Sequence, residues 1–269
     1  MPMLERTAQA TDADSALHLG SYLLYPQAGS ALASWPEGKE LALFVLNQPI
    51  PHAETAFDRI WSRASYRLCM DGGANRLFEL SRTLDKTSTF TPDAIVGDLD
   101  SLKDSTREHY AQRGTVIHKC NDQNSTDFMK GLMYLDNVLR ADKDPADCVV
   151  VVFGGLSGRL DHIMHTLKVL FNNKERQILI VSDDNLTFVV PAGKNTVMVN
   201  RQIDGPTCGI LPLAGETVLT TSGLRWNLSG HKSSFEGLMS TSNIVDSHES
   251  VSIETTLPVA WTCEFNPKA

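Results

Sequence analysis

The run Cys148–Phe153 restricts the fold of this chain more than any other segment. It consists of Cys, Val and Phe only, and Gly154–Gly155 ends it. A short, wholly apolar run of this kind is typical of a strand buried on both faces. Leu41–Leu46 is a second such run, and segments with helical spacing of apolar residues lie between the two. Because doubly buried strands alternate with helices, the sequence predicts a parallel α/β sheet.

The pattern changes near Pro191, after which no helical period is present and short runs rich in Val, Thr and Leu alternate with Gly and Pro. This pattern predicts a smaller all-β sandwich. We therefore expect an N-terminal arm (residues 1–38), a Rossmann-like α/β domain with a parallel sheet (residues 39–191) and a β-sandwich domain (residues 192–269). The strands expected in the last part are Thr196–Asn200, Cys208–Leu213, Glu216–Ser222, Gly237–Ser240, Ser250–Thr255 and Val259–Phe265.

Composition narrows the class of protein. The 269 residues carry a formal net charge of -8 and contain no Lys/Arg tract, which argues against binding to nucleic acid or to a membrane surface. The five cysteines are scattered and form no C-x-x-C pair, so neither a disulfide framework nor a zinc site is indicated. With no apolar leader and no apolar run of membrane-spanning length, the chain is expected to be cytoplasmic.

Ligands bind parallel α/β sheets at the carboxyl ends of the strands, and the turn Asp71–Asn75 is predicted to lie there. The paired glycines Gly72 and Gly73 allow a ligand to approach the backbone and leave N–H groups to face an anion. Asp71 and Asn75 add polar side chains. A tight turn in which Asp71 caps a helix explains this motif equally well.

The acidic loop Gly97–Ser101 follows the predicted strand Ala94–Val96. If the loop is extended, Asp98 and Asp100 point to the same side, because residues two apart share a face of a strand. Two adjacent carboxylates repel each other unless a cation joins them, and Mg²⁺ prefers such oxygen ligands. The alternative is a surface turn with two solvated acids. The position after a buried strand favours a magnesium site.

The third turn, Gly154–His162, combines glycines with a predicted helix N-terminus, an arrangement that suits a pyrophosphate group. It is neither a dinucleotide fingerprint nor a Walker A loop. Arg159 is expected to bind phosphate oxygens in a bidentate manner, and Asp161 to reach a metal or a water molecule. The alternative is a glycine-rich connector with an Arg159–Asp161 surface pair. His162 and His165 lack a third metal ligand and are expected to be structural.

Two further segments carry polar residues of interest. Asp122–Asp127 precedes an amphipathic helix, and its last residue adds a carboxylate in the first turn. In the β part, Trp226 lies between Arg225 and Asn227, where an exposed indole ring could stack on a flat cationic heteroaromatic ring. A core tryptophan in a small sandwich is the alternative for Trp226, and Trp261 is assigned to the core.

Taken in chain order, five segments resemble the thiamine pyrophosphokinase family of the eukaryotic type. They are Asp71–Asn75, Gly97–Ser101, Asp122–Phe128, Gly154–His162 and Leu224–Leu228. Each motif is weak alone, but five in this order are specific, and the resemblance covers roughly Leu41 to Phe265. It implies an α/β domain followed by a β-sandwich, and a homodimer with sites at the subunit interface. It also implies the reaction in which ATP and thiamine give thiamine diphosphate and AMP.

The same resemblance implies roles for individual residues. The acidic residues form a metal and phosphate cluster, with Mg²⁺ on Asp98, Asp100 and Asp127, and Arg159 contacts phosphate. Trp226 packs on thiamine. The catalytic set implied is Asp71, Asp98, Asp100, Asp127, Arg159 and Asp161. The substrate-binding set implied is Gly72, Gly73, Asn75, Gln123, Thr126, Gly154, Gly155, Ser222, Trp226, Ser242 and Asn243.

The residue types predict how such a site works. The thiamine hydroxyl attacks the β-phosphorus of ATP, Mg²⁺ neutralises developing charge, and Asp100 or Asp127 accepts the alcohol proton. One alternative is a metal-dependent nucleotide phosphohydrolase that uses water as the nucleophile. The other is a non-catalytic protein that binds thiamine or nucleotide. Trp226 argues against the hydrolase and the clustered carboxylates argue against the pure binder.

Overall fold

The computed structural model describes residues 38–139, 144, 147–200, 203–247 and 250–265. The expected arm, residues 1–38, lies outside the described residues except for Gly38. In chain order the elements are β1 Glu40–Val45, a π-helical turn Ala53–Phe57, α1 Asp58–Arg63, β2 Tyr66–Met70, α2 Gly73–Thr83, β3 Ala94–Gly97, α3 Asp104–Ala111, β4 Val116–Lys119, α4 Asp127–Val138, β5 Cys148–Phe153, α5 Leu160–Asn172, β6 Ile178–Ser182, β7 Asn185–Val190, β8 Gly193–Met198, β9 Asp204–Leu211, β10 Thr217–Ser222, β11 His231–Ser233, β12 Ser240–Ile244, β13 Ser250–Thr255 and β14 Val259–Phe265.

One large sheet runs through the molecule in the order β12-β9-β14-β7-β6-β5-β1-β2-β3-β4. The six strands from β6 to β4 are mutually parallel, as the alternation of strands and helices predicts. β1 and β5 form the centre of this parallel half, and their side chains are buried on both faces. The two expected central strands, and with them the predicted α/β fold class, are confirmed.

The helices cover the two faces of the parallel half. α1 and α2 bury Trp61 and Leu77 in the same core as Leu43 of β1. α4 packs Leu132 on the opposite face, in the same core as Phe44 of β1. Because successive residues of β1 point to opposite faces, one short strand anchors helices on both sides. Both cores are apolar, which leaves the ends of the strands as the place for polar chemistry.

The β-sandwich pairs a separate four-stranded sheet, β11-β10-β13-β8, with the antiparallel half of the large sheet. Leu219 and Ile253 from the small sheet share one core with Ile210 and Trp261 from the large sheet. The predicted sandwich is confirmed, and Trp261 is in its core as expected. The sequence pattern missed β7, which precedes residue 192 yet pairs with β14. The sandwich therefore uses a strand from the expected α/β part.

Strand order reverses between β1 and β5, because β2, β3 and β4 extend the sheet on one side and β6 extends it on the other. In open α/β sheets, a crevice opens at such a switch point, beyond the carboxyl ends of the strands. The segments that leave β1 and β5 diverge there toward opposite faces of the sheet. The fold itself thus identifies the place where a ligand is expected to bind. Within the described residues, no helix is both long enough and apolar enough to cross a membrane.

Candidate active site

A cleft of about 520 Å³ opens at this switch point. Its walls come from the segments that follow β1, β2, β3 and β5 and from the start of α4 and α5. The predicted site residues that line it are Asp71, Asp98, Asp100, Thr126, Asp127, Gly155 and Arg159. A volume of this size is in the range of small-molecule sites in proteins. Motifs that are distant in the sequence therefore meet in one crevice.

Three carboxylates form the centre of the cleft. Asp71, Asp98 and Asp127 each offer an oxygen atom, and these three oxygens lie within 4.8 Å of one another. We call these three residues the acidic triad. A Cβ atom on Gly97 would lie 2.8 Å from the Cβ of Asp71 and 3.1 Å from Oδ1 of Asp127. Only glycine at position 97 lets the two side chains approach this closely.

Asp71 is the buried member of the triad, with only 3% of its surface exposed. Its Oδ2 accepts a hydrogen bond from the Ser101 N–H at 3.1 Å, whereas its Oδ1 has no hydrogen-bond partner among the described residues. Burial raises the pKa of Asp71 to about 6, and the charge of Asp127 adds to this shift. A buried carboxylate oxygen without a partner is costly, and a divalent cation would supply the missing contact. The triad therefore fits a hard metal ion such as Mg²⁺.

Lys130 is buried beside the triad, lines the cleft and was not predicted. Its Nζ donates hydrogen bonds to Oδ2 of Asp98 and to Oδ1 of Asp127, both at 3.1 Å. Burial alone would raise the pKa of Asp98, but the hydrogen bond and charge of Lys130, together with hydrogen bonding to Asp100, lower it below its usual value. For Asp127 burial prevails over Lys130, and the pKa is raised. The lysine is thus the counter-charge that keeps Asp98 ionised.

The acidic loop does not have the extended shape that the sequence analysis assumed. Leu99 has φ 67°, so the chain turns between Asp98 and Asp100. Asp100 lies outside the triad, lines the cleft with an exposed carboxylate and accepts a hydrogen bond from the Ser101 hydroxyl at 3.1 Å. The structure therefore places Asp71, and not Asp100, beside Asp98 and Asp127. The alternation rule fails here because it applies only to a regular strand.

The turn Asp71–Asn75 holds the acidic loop in place through the side chain of Asn75. The Asn75 side chain donates a hydrogen bond to the carbonyl of Ser101 at 2.8 Å and accepts one from the N–H of Lys103 at 3.2 Å. Asn75 thus ties α2 to the acidic loop and is not among the described residues that line the cleft. Gly73 is needed for packing, since a Cβ there would lie 2.1 Å from the carbonyl oxygen of Val45.

The glycine turn after β5 is bonded internally. The N–H of Gly154 donates to the carbonyl of Val181 at 2.9 Å, and the N–H of Gly155 donates to Oε1 of Gln48 at 2.6 Å. Both glycines have positive φ, 93° and 102°, which explains the residue type. The N–H groups of these two glycines are therefore occupied by partners within the protein. Gly155 contributes to the wall of the cleft instead.

Arg159 lies at the open edge of the cleft and is paired with Asp161. Its Nη2 and Nε donate to the two oxygens of Asp161 at 2.6 and 3.1 Å. This pair keeps the pKa of Asp161 below its usual range. Asp161 is exposed and is not among the described residues that line the cleft. The other two predicted carboxylates, Asp100 and Asp161, are therefore separate from the triad.

Two predicted residues of the loop before α4, Thr126 and Gln123, differ in their relation to the cleft. The Thr126 hydroxyl lies 3.3 Å from Nδ1 of His165, and both residues line the cleft together with His162. Gln123 is exposed in the same loop and is not among the lining residues that the structure describes. The two histidines, expected to be structural, thus face the candidate site. The role of Gln123 stays a prediction.

The second cluster of predicted residues lies on the β-sandwich. Trp226 is 57% exposed, so the core alternative for this residue is wrong. Asn243 is buried and holds the Trp226 backbone, accepting from its N–H at 3.2 Å and donating to its carbonyl at 2.9 Å. Ser242 is exposed at a β-bulge with φ 53°, and Ser222 is exposed at the end of β10. This cluster combines an exposed aromatic ring with the exposed hydroxyl groups of Ser222 and Ser242.

Sequence reasoning missed Gln48 and Lys130. Gln48 lies in the segment that leaves β1, after Leu46 and Asn47, and a polar residue after a buried strand was a usable signal, since the carboxyl ends of all the parallel strands meet at one edge. Its side chain also accepts from the Ser157 hydroxyl at 2.9 Å, so it orders the glycine turn. Lys130 gave a weaker signal, a single charge within the otherwise apolar face of α4.

Comparison with known protein families gives matches over most of the chain. The family model for the thiamin pyrophosphokinase catalytic domain matches residues 57–182, and the model for the vitamin B1 binding domain of the same enzyme matches residues 194–260. The chain belongs to the thiamine pyrophosphokinase family. The resemblance noted in the sequence is thereby confirmed. The acidic triad lies on segments within the first match, and Trp226 lies within the second.

Curated relatives and solved structures agree with this assignment. Thiamine pyrophosphokinase 3 of Oryza sativa subsp. japonica is 35% identical over 91% of this chain and 94% of its own length. Thiamine pyrophosphokinase 1 of Arabidopsis thaliana is 32% identical over 93% of both chains. The structures of thiamin pyrophosphokinase from Candida albicans and from yeast each superpose with a TM-score of 0.77. They are 22% and 21% identical and cover 85% and 93% of this chain, and 90% and 95% of their own. These two therefore support the fold alone.

Proposed function

We propose that this protein transfers a pyrophosphoryl group from ATP to the hydroxyl group of thiamine and releases thiamine diphosphate and AMP. The observation that carries the proposal is the acidic triad in the switch-point cleft of a member of this family. A new bond joins the thiamine oxygen to the β-phosphorus of ATP. The bond between that phosphorus and the oxygen bridging to the α-phosphorus breaks, and this oxygen leaves with AMP. The hydroxyl proton passes to a carboxylate.

The triad is the proposed metal site. Asp71, Asp98 and Asp127 would hold Mg²⁺. When bound, the ion would neutralise charge on the phosphate oxygens during transfer. The residues of the chain supply orientation, since Lys130 and the Ser101 N–H fix the carboxylates before substrate arrives. Phosphoryl transfer depends mainly on such positioning and electrostatics.

Asp100 is the proposed proton acceptor. It lines the cleft, is exposed, and is separate from the triad, so its oxygens are available to a substrate hydroxyl. Arg159 is the proposed phosphate ligand at the open edge. Its guanidinium group would exchange Asp161 for phosphate oxygens, which it binds with the same two-pronged geometry. In this proposal Gly155 forms part of the cleft wall, Gly72, Gly73 and Gly154 shape the turns that carry it, and Gln123 and Thr126 approach the nucleotide from the loop before α4.

Thiamine is proposed to bind on the β-sandwich. Its thiazolium ring is a flat cation, and the exposed face of Trp226 suits it. Ser222 at the end of β10 and Ser242 on β12 provide exposed hydroxyl groups, and the buried Asn243 holds the Trp226 backbone in place. We further propose a homodimer in which Trp226 of one protomer completes the cleft of its partner. The cytoplasmic location stays a prediction from the sequence.

The proposal is tested by product analysis with ATP, Mg²⁺ and thiamine. We expect AMP and thiamine diphosphate in equal amounts, and no AMP when thiamine is omitted. AMP or inorganic phosphate released at the same rate without thiamine would instead establish a phosphohydrolase. The variant D100N should lower kcat by about 100-fold or more, the loss typical of removing one preorganised catalytic group. D58N is the matched control for loss of one negative charge, because Asp58 pairs with Lys86 and is not among the described residues that line the cleft, and its kcat should change little.

A further inference from the structure

The most informative unassigned residue is Lys130 on α4. It is the one lysine in the described part of the chain whose side chain is almost fully buried, with 2% exposed. Its two hydrogen-bond partners among the described residues are Asp98 and Asp127, both members of the acidic triad. Lys130 lines the cleft, and both side-chain hydrogen bonds direct its ammonium group to the carboxylates. In this structure its charge is therefore committed to the triad.

The charges around the acidic triad indicate the role of Lys130. The triad brings three carboxylates together within 4.8 Å. Among the described residues, no other cation forms an ion pair with any member of the triad, and Arg159 is paired with Asp161. The ammonium group of Lys130 therefore offsets part of the mutual repulsion before any metal ion arrives. It also repels any cation that enters, since charges at such short range interact strongly in a partly buried site.

We propose that Lys130 is a resident cation that keeps the empty triad intact and weakens its affinity for a free divalent ion. The proposal rests on the triad being the metal site, as proposed above. The proposal implies that the metal enters together with the nucleotide. The phosphate oxygens of the nucleotide supply negative charge that offsets the positive charge of Lys130. Lys130 is thus a positioning residue, acting through Asp98 and Asp127 and not on the substrate.

The test measures Mn²⁺ binding to the nucleotide-free protein by electron paramagnetic resonance. K130M should bind Mn²⁺ at least about tenfold more tightly than the wild type, because a positive charge in contact with two ligands is removed. K130R, which keeps the charge, should bind as weakly as the wild type. K103M is the matched control, since Lys103 is exposed, pairs with Glu79 and does not contact the triad. Its affinity should change less than about twofold.

Equal or weaker Mn²⁺ binding by K130M, or an equal gain in K103M, would overturn the proposal. D98N separates this result from the metal site itself: if D98N binds Mn²⁺ as the wild type does, the triad is not the metal site. If D98N loses binding and K130M gains none, only the role of Lys130 is wrong. Should K130M and K130Q fail to fold without metal, folding restored by Mn²⁺ would support the proposal, and failure in both conditions would contradict it.

Discussion

At the scale of single residues, the acidic triad imposes an electrostatic cost on the folded protein. Asp71 is buried, one of its oxygens lacks a partner among the described residues, and its pKa is raised to about 6. It also has φ 45°, a conformation that Asp and Asn tolerate better than most residues. Such a cost is expected where a site is built for a ligand that is added later.

Asp71→Asn should therefore stabilise the metal-free protein. Below about pH 4 Asp71 is protonated in both folded and unfolded chains, and the two proteins should differ little. Between about pH 4 and pH 6 the unfolded chain ionises first, so the wild type loses stability relative to the variant as the pH rises. Above about pH 7 the difference should be constant, on the order of 2 kcal/mol in favour of the variant.

Urea unfolding in EDTA across this pH range measures the difference. Asn is a suitable replacement because its oxygen can still accept from the Ser101 N–H. Adding Mg²⁺ should raise the stability of the wild type and leave D71N unchanged, since the variant lacks a metal ligand. A variant that is less stable than the wild type in EDTA at neutral pH would show that the ionised Asp71 stabilises the apo fold.

At the scale of elements, the acidic loop between β3 and α3 is positioned by α2. The link is Asn75, whose side chain bonds to the backbone of Ser101 and Lys103. The same loop supplies the Ser101 N–H that orients Asp71. The geometry of the triad thus depends on one amide side chain that does not face the cleft.

Asn75→Ala should loosen this loop. Two backbone groups lose their partners, so we expect a loss of about 1–3 kcal/mol in the free energy of unfolding, together with weaker Mn²⁺ binding. T83A on the same helix is the control, because the Thr83 hydroxyl makes only an exposed bond to the carbonyl of Glu79. Urea unfolding and Mn²⁺ titration of both variants check this. Unchanged Mn²⁺ affinity in N75A would show that α2 does not position the triad.

The sequence was sufficient for the elements but not for the contacts between loops. The apolar run of β5 and the polar turns after β2 and β3 predicted the parallel sheet and the edge at which the site lies. The choice of Asp71 over Asp100 could not be predicted, because it depends on the positive φ of Leu99. Lys130 was missed because its role depends on the packing of α4 against β3. This packing brings its side chain to Asp98, which is 32 residues away in the sequence. The strand β7 was missed because its polar Asn185 and Thr187 interrupt the apolar pattern.

At the scale of the whole molecule, the two parts of the chain share one sheet. β14 pairs with β7 on one side and with β9 on the other, so the C-terminal strand completes the sheet that carries the cleft. A core cluster extends without interruption from Leu43 in β1 to Val251 in β13. The position of Trp226 relative to the triad is therefore fixed by the fold within one protomer.

The proposed shared site can be tested by mixing subunits. D98N removes a triad ligand, and W226A removes the proposed thiamine platform, so each variant alone should have little activity at thiamine concentrations below KM. If Trp226 of one protomer completes the cleft of its partner, every mixed dimer contains one intact site. Random co-assembly of equal amounts should then restore about a quarter of the wild-type activity.

The control for this experiment is a mixture of D98N with D127N. Both variants damage the same half of the site, so no mixed dimer has an intact one and no activity should return. If D98N mixed with W226A also regains nothing although the two co-assemble, the site is formed within one protomer. Size-exclusion chromatography of the wild type tests separately whether the protein is a dimer.

The central claim is that a pyrophosphoryl group moves as a unit from ATP to thiamine. The most direct measurement uses ATP labelled in the β-phosphate, with Mg²⁺ and thiamine, and follows the label by chromatography. We predict that the label appears in thiamine diphosphate and that the unlabelled nucleotide product is AMP. Label recovered in ADP together with thiamine monophosphate, or in free phosphates formed without thiamine, would contradict the account.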